Sequence, residues 1–454
     1  MNSPSTQTTR PRPGDELELT IDSLAFGGAG VARRDGYVVF VEDAVPGDRV
    51  RATVTKSKRA YAQARTSEVL EPSAERVAPV APHPGAPWQI LPYERQLEIK
   101  QTQVQEALTR IGRLEQFTLE PIVPAAAQWR YRNKLEYSFA TDEAGRLICG
   151  FHAPGRWDRV IEITDCLLAS ERANQARERV VQWCRSQGLQ AHDRRTHEGF
   201  LRNLVVREGR RTDQIQVRLV TGPGQLDGEG LAAAAAPADG VLWTRTEAAA
   251  ETTQGGQTEL LAGTERLREE IGGLRVRIAP EAFFQTNTEM AEQLYGIVGE
   301  YAQLTGFERV YDLYCGIGTI GLLISPRAAE VWGLELIEDA IANAIDNARL
   351  NEIDNARFFA GDARLALREL TERAGRPDVV VVDPPRAGLS QKIVRRIIEA
   401  SPRRIVYVSC NPTTLAPNAA QLVEAGYKLI RVRPVDMFPQ TPHIEGVALL
   451  ERSG

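Results

Sequence analysis

Four short stretches hold side chains that chemistry could use: Cys410 in SCNP, Glu445 in HIEGV, Asp383 in DPPR and Gln285 in FFQTN. Cys410 closes the apolar run RIVYVS, so a thiol is expected at the C-terminal end of a strand, where a thiolate could act as a nucleophile. A single cysteine there ordinarily packs as a small hydrophobe, and Cys315, in DLYCG, is read that way. Cys410 differs in its company. Asp383 follows the run DVVVV and precedes two prolines, which fix φ and remove N–H donors. A carboxylate so held is preset to accept hydrogen bonds from a ring edge. Glu445 stands just before the last apolar run and can serve as a base. Gln285 could instead cap the helix after it.

A second feature is a glycine loop. In RVYDLYCGIGTIG an apolar run passes into Gly316, Gly318 and Gly321, the GxGxxG spacing of a strand-to-helix turn that lets backbone approach a ligand. Glu335 ends the next apolar run 19 residues past Gly316, close to the offset at which a carboxylate meets adenosine ribose hydroxyls. An adenosine-containing cofactor is the reading. The loop alone also fits a nicotinamide oxidoreductase. Asp-Pro-Pro after the fourth strand of this region points instead to S-adenosylmethionine-dependent modification of a base. So does the position of the cofactor region at the end of the chain.

The elements that must hold these residues follow an alternating strand–helix pattern from about Pro280. Near-continuous apolar strands such as DVVVVD suit a parallel sheet covered on both faces. The predicted fold is multidomain α/β, ending in a doubly wound, Rossmann-like domain at 280–454. Residues 15–70 read as a small, OB-like five-stranded β-barrel, with Asp35-Gly36 as a type I′ hairpin turn. Arg49, Arg51, Lys56, Lys58, Arg59 and Arg65, with Tyr61 among them and no acid in the run, suit RNA backbone contact and stacking. They also suit a plainly solvated strand face. Residues 71–92 hold six prolines and read as a stiff connector. Residues 93–279 read as a central α+β domain, with Trp129, Arg130, Tyr131, Arg132 and Lys134 grouped near its first strand. Residues 1–14 read as a disordered tail.

Composition bounds the class. The 454 residues are 43% hydrophobic and 25% charged, with a net charge of −5, which disfavours non-specific coating of nucleic acid but not a local basic surface. No apolar run approaches membrane-spanning length, and no secretory h-region is visible. The five cysteines (149, 166, 184, 315 and 410) are scattered without a CxxC, so neither disulfides nor a zinc site is expected and a reducing cytoplasm fits.

Taken together, DLYCGIG, VVVDPPRAGL, VYVSCNPTTLAPN, FFQTN, WRYRNKLEYSF and HIEGVALLE closely resemble the class I RNA (uracil-5-)-methyltransferase family, over roughly residues 15–450. The resemblance implies a TRAM domain at 15–70, S-adenosylmethionine as methyl donor and 5-methyluridine as product. By it, Cys410 is the nucleophile that adds to uracil C6, Glu445 the base that removes the C5 proton, and Asp383 and Gln285 lie where target base and cofactor meet. Tyr314, Gly316, Gly318, Thr319, Glu335 and Asp362 correspond to cofactor contacts. The barrel favours 23S ribosomal RNA over transfer RNA, acted on by a monomer. A non-catalytic RNA-binding protein that kept the fold is the alternative from another class. Many relatives carry three connector cysteines and a fourth in the central domain that hold a [4Fe–4S] cluster. Here only Cys166 stands at such a position, so no iron–sulfur cluster and no metal are expected.

Overall fold

A computed structural model describes residues 10–248 and 250–453, which form two compact units. The smaller comprises the chain through Pro82, Ala86–Glu106 and Phe438–Ile444. Its barrel alternates cleanly: in Glu16–Thr20 every second side chain is buried, and Leu17, Leu19, Val39, Val41, Val50 and Ala62 share one core. The sheet runs Glu16–Thr20, Arg49–Ser57, Tyr61–Glu71, Tyr37–Glu42, Gly30–Arg34, Ser23–Leu24. It thus has six strands rather than five, because a two-residue strand extends the first hairpin. Asp35 and Gly36 both have positive φ, 51° and 82°, as a type I′ turn needs.

Two boundaries and one surface differ from the sequence reading. Residues 10–14 are tied down, with Gly14 N donating to Val54 O at 2.8 Å; the rest of the expected tail, residues 1–9, lies outside the described residues. The helix Tyr93–Glu106, assigned above to the central domain, clusters with the barrel and connector. Within that unit Gln96 and Gln440 exchange hydrogen bonds of 2.9 and 3.0 Å, which periodicity does not reveal. The basic run of the barrel is also less free than its composition suggests. Arg49 pairs with Glu18 and Glu71, Arg51 with Glu68, and Arg65 with Glu42. The acids come from paired strands, so they are invisible within the run itself.

The larger unit contains His83–Gly85, Ala107–Met437 and Glu445 onward. Its first part is a seven-stranded sheet spanning Lys134–Gly263, with the helix Glu171–Ser186 beside strands Leu201–Gly209 and Gln214–Thr221. The residues at its start serve structure: Tyr131 is buried, Arg130 pairs with Asp165 at 2.6 Å and Lys134 with Glu136 at 2.5 Å.

The second part is an α/β sheet. In chain order its strands are β1 (Arg309–Leu313), β2 (Glu330–Glu335), β3 (Ala356–Ala360), β4 (Val379–Val382), β5 (Arg404–Ser409), β6 (Tyr427–Val435) and β7 (Glu445–Arg452). Their spatial order is 3-2-1-4-5-7-6, followed at the edge by an eighth, two-residue strand, Thr118–Leu119, parallel to β6; all are parallel except that β7 runs antiparallel to β5 and β6. All four valines of β4 are fully buried, as a strand covered on both faces requires. The helices are α1 (Thr288–Ala302), α2 (Thr319–Ile324), α3 (Glu338–Leu350), α4 (Ala363–Ala374), α5 (Gln391–Ala400) and α6 (Pro412–Glu424).

The hairpin Leu267–Ile271/Leu274–Ile278 is bonded to this part, although the pattern had begun the domain at Pro280. Asn343, Asn347 and Asn351 stand one turn apart along α3 and its C-cap. Their Oδ1 atoms accept the N–H groups of Ala279, Arg277 and Arg275 at 2.9–3.0 Å. A helical step of four residues, ~6 Å, nearly matches a strand step of two, ~6.6 Å. The asparagines thereby cover the hairpin's open edge.

Candidate active site

The side chains singled out above gather at the C-terminal ends of the parallel strands. β5 pairs with β7 through Ser409 opposite Gly446. Cys410 follows Ser409 and Glu445 precedes Gly446, so both stand next to the last pair of that ladder. β4 pairs with β5 through Val382 opposite Tyr407, so Asp383 leaves the sheet beside them, its N–H on Leu313 O at 3.3 Å. Cys410 is half-buried and Glu445 is 4% exposed. The thiol lies past the strand end rather than inside the sheet.

Electrostatics couple the three groups. Burial pushes Asp383 up to about 7. Burial, then the Asp383 charge, raises Glu445 well above the ordinary carboxylate range. The Cys410 thiol is pushed up to about 11 by burial, then by Glu445 and Asp383, while Arg386 pulls it down. The resting thiol is therefore protonated, and carboxyl groups with unusually high proton affinity stand beside it.

The loop that carries Asp383 is braced from α6. Asn411, the N-cap of α6, donates to Arg386 O at 3.1 Å. Asn418 bonds both backbone groups of Leu389, at 2.8 and 3.0 Å, and accepts from Tyr407 OH at 3.0 Å. Gly388 has φ 73°, and a Cβ there would meet Asn418 Oδ1 and Thr414 Cβ at 2.9 Å. The spacing in SCNPTTLAPN thus has a mechanical reason: one asparagine holds the middle of the DPPRAGL loop and the other its C-terminal end.

Gln285 is 5% exposed and does not cap α1; Asn287 does, accepting from Met290 N at 3.3 Å. Asn133 anchors the FFQTN segment, its Nδ2 donating to Gln285 O and Thr288 Oγ1 at 2.9 Å and its N–H to Thr286 O at 2.8 Å. Phe283, by contrast, is 66% exposed.

Tyr314, just before the loop glycines, lines a cavity of about 240 Å³ together with Glu335, Leu336, Asp362, Ser390 and Ile393 among others. Tyr314, a non-glycine residue, has φ 63°, and Gly316 and Gly318 have 53° and 82°. Glu335 Oε1 accepts the N–H groups of Leu336 and Ile337 at 2.7 and 3.1 Å, and its Oε2 accepts Gly316 N at 3.3 Å. Asp362 caps α4 and pairs with Arg364, which lowers its pKa. Thr319 is the first residue of α2 and is 6% exposed. Cys315 is buried.

Two residues of the site escaped the sequence reading. Asp312, within β1, is fully buried; its Oδ2 accepts Gly321 N at 2.9 Å, while Oδ1 has no hydrogen-bond partner among the described residues. Burial pushes it up to about 7. The signal was present as one acid inside the apolar run RVYDLYC. Tyr295 of α1 is 8% exposed and interacts with Asp383, Asp312 and Glu445; helical periodicity marks it only as core. Elsewhere, Cys166 is buried with its Sγ 3.3 Å from His83 Nε2. Among the described residues no group of three or more His, Cys, Asp or Glu could hold a metal, and no helix is long and apolar enough to cross a membrane.

Comparison with known proteins gives concordant matches. Residues 264–453 match the family model described as tRNA (Uracil-5-)-methyltransferase, and residues 10–66 match the TRAM domain. An RNA methyltransferase of Halalkalibacterium halodurans is 38% identical over 98% of this chain and 99% of its own. One of Bacteroides thetaiotaomicron is 38% identical over 94% and 100%. The crystal structure of Pyrococcus abyssi tRNA (uracil-54, C5)-methyltransferase in complex with S-adenosyl-L-homocysteine superposes with TM-score 0.78 at 29% identity, covering 95% of this chain and 99% of that one.

Proposed function

Because the chain belongs to the tRNA (uracil-5-)-methyltransferase family and carries a TRAM domain, we propose that it methylates C5 of uridine through a covalent adduct at Cys410. The single observation that carries this reading is the meeting of Cys410, Glu445 and Asp383 at the adjoining ends of β5, β7 and β4, where both carboxyl groups act on the thiol. The enzyme is an S-adenosylmethionine-dependent RNA methyltransferase. When bound, S-adenosylmethionine supplies an electrophilic methyl group. The cavity at the ends of β1 and β2 suits its nucleoside part: the Glu335 carboxylate lines it beside the apolar side chains of Leu334, Leu336 and Ile393. In this reading Tyr314, Gly316, Gly318, Thr319, Glu335 and Asp362 hold the donor, while Gln285 and Asp383 stand between it and the target base.

The chain's residues then act in sequence. Uracil C5 is a weak nucleophile. Sulfur of Cys410 bonds to C6, the thiol proton passes to Asp383, which leaves Glu445 free for the later proton, and the C5–C6 electrons move into the ring as an enolate. C5 takes the methyl group. Glu445 removes the remaining C5 proton, the C5–C6 double bond re-forms, and the C6–S bond breaks to free the thiolate. A uridine must leave its stack to reach Cys410, which costs a few kcal/mol and least in loops.

RNA containing 5-fluorouridine tests the reading, because fluorine cannot be removed as a proton is. Wild type should remain covalently attached, and Cys410→Ala should not. Attachment by the variant would move the nucleophile elsewhere. Two substrates stay in this reading, and the first is a uridine of 23S ribosomal RNA. A transfer-RNA uridine is the second reading, favoured by the Pyrococcus abyssi likeness. That match covers 95% of this chain, so most of the barrel is shared and its presence does not separate the two. Mass-spectrometric mapping of 5-methyluridine in ribosomal and transfer RNA from cells lacking the protein decides between them.

A further inference from the structure

The segment that carries Gln285 lies outside both sheet and helix. Residues 279–287 run between the strand Leu274–Ile278 and α1, so no ladder fixes their path and their backbone polar groups must find partners elsewhere. Two of those groups are held by Arg207. Its Nη1 and Nη2 donate to Ala279 O and Ala282 O at 3.3 and 2.6 Å. These carbonyls frame a turn that Ala282 N closes on Ala279 O at 3.1 Å. Asn133 holds the next pair, the carbonyls of Gln285 and Thr286. The two anchors are neighbours: Arg207 pairs in register with Lys134, and Glu208 N donates to Asn133 O at 2.8 Å. On the other side of the turn, Glu281 accepts from Gly255 N at 3.0 Å and faces Arg218 at 3.3 Å.

Packing alone does not account for Arg207. It is 4% exposed, and its Nε has no hydrogen-bond partner among the described residues. Burial, then the like charge of Arg218, lowers its pKa to about 10, while Glu136 and Glu281 act the other way. A guanidinium buried so costs more free energy than an apolar side chain of its size. What it supplies is geometry: a planar fork fixes two carbonyls at once, which a single nitrogen does not. We propose that Arg207 is a positioning residue for methyl transfer, its grip on the turn Ala279–Ala282 setting where Gln285 stands between methyl donor and target base. This role rests on the place given to Gln285 under the proposed function. Three residue steps, ~10 Å of extended chain, separate the turn from Gln285, so a slackened turn is felt at the amide. A misplacement of ~1 Å where groups must align costs up to about a hundredfold in rate.

The test is a double-mutant cycle on the full chain. It reads transfer of tritium from methyl-labelled S-adenosylmethionine to total RNA from cells lacking the protein, at saturating and at limiting RNA. Arg207→Lys keeps the charge and replaces the fork by one nitrogen. It should lower the saturated rate about 10- to 100-fold and leave the RNA concentration at half-maximal rate within about threefold of wild type. Gln285→Ala should be slow as well. The double variant Arg207→Lys/Gln285→Ala should match Gln285→Ala within about twofold, because a misplaced amide and an absent one are equivalent. Were Arg207 needed for stability alone, the two losses would multiply; that result overturns the proposal, as does an Arg207→Lys enzyme at the wild-type rate. Arg207→Met, which has no donor, should repeat the pattern. Rates are divided by the folded fraction from circular dichroism, so partial unfolding of a variant does not pass for misplacement. A Gln285→Ala enzyme at the wild-type rate would strike the role of Gln285 in the proposed function and this role of Arg207 with it, whereas multiplied losses strike Arg207 alone.

Discussion

Replacing Asp383 with asparagine should make Cys410 more reactive towards a small alkylating agent while making the enzyme a poorer methyltransferase. The thiol sits at about 11, with burial the first cause and the Glu445 and Asp383 charges next. Asp383 itself titrates near 7, so above pH 8 it is anionic and its loss lowers the thiol pKa. Because burial is the larger cause, we assign Asp383 no more than about a tenfold change in acidity, ~1.4 kcal/mol. Below the thiol pKa the thiolate population then rises about tenfold. A less basic thiolate is also a weaker nucleophile, with a Brønsted slope of about 0.4–0.5, which returns about threefold of that gain. The net expectation is alkylation of Cys410 by iodoacetamide about three- to fourfold faster at pH 9. It is read by mass spectrometry of the Cys410 peptide, with buried Cys149, Cys184 and Cys315 as internal references. At pH 5.5, where Asp383 is protonated, the two proteins should react alike. An unchanged rate at pH 9, or an equal change at both pH values, would refute the claim that the Asp383 charge bears on the thiol.

Glu445→Gln should lower turnover by about 10²–10⁴-fold and accumulate a covalent adduct with ordinary RNA, seen as a denaturant-stable shifted band; turnover near wild type would return the base role to another group. Asp312→Asn should stabilise the ligand-free protein at high pH. Its folded pKa of about 7 exceeds the unfolded 3.8, so the folded state binds the proton more tightly and stability falls as pH rises from about 4 to about 7. Asparagine removes that penalty, worth at most ~4 kcal/mol at pH 8 and nothing near pH 4, so a melting-temperature gain at pH 8 that vanishes at pH 4 is expected. Asn418→Ala leaves Leu389 N–H and C=O and the Tyr407 hydroxyl without their buried partner and should cost about 2–4 kcal/mol, measured by urea denaturation, with a loss of methylation that exceeds the loss of folded protein. Gly388→Ala should act in the same direction, since its φ of 73° and the 2.9 Å contacts leave no room for a side chain.

Much of this site was legible in residue order because each key residue stands at the end of an apolar run. A parallel sheet brings such ends to one edge whatever the connections between them, so Cys410, Asp383, Glu335 and the glycine loop could be grouped without coordinates. Asp35-Gly36 was readable for a similar reason: its conformation is local. Partnerships across strands were not. The run from Arg49 to Arg65 looks uniformly basic, yet Glu18, Glu42, Glu68 and Glu71 neutralise three of its arginines from neighbouring or paired positions, and only strand register decides which cations stay free.

By itself the sequence determined the kinds of chemistry present and the strand ends that carry them, because apolar periodicity and turn residues act over a few positions. The tertiary structure alone decided that Glu445 and Cys410 come to adjoining strand ends, that Asn411 and Asn418 brace the Asp383 loop, and that one oxygen of Asp312 lacks a partner among the described residues. Those facts depend on register and burial, which arise only when distant segments pack and water is excluded.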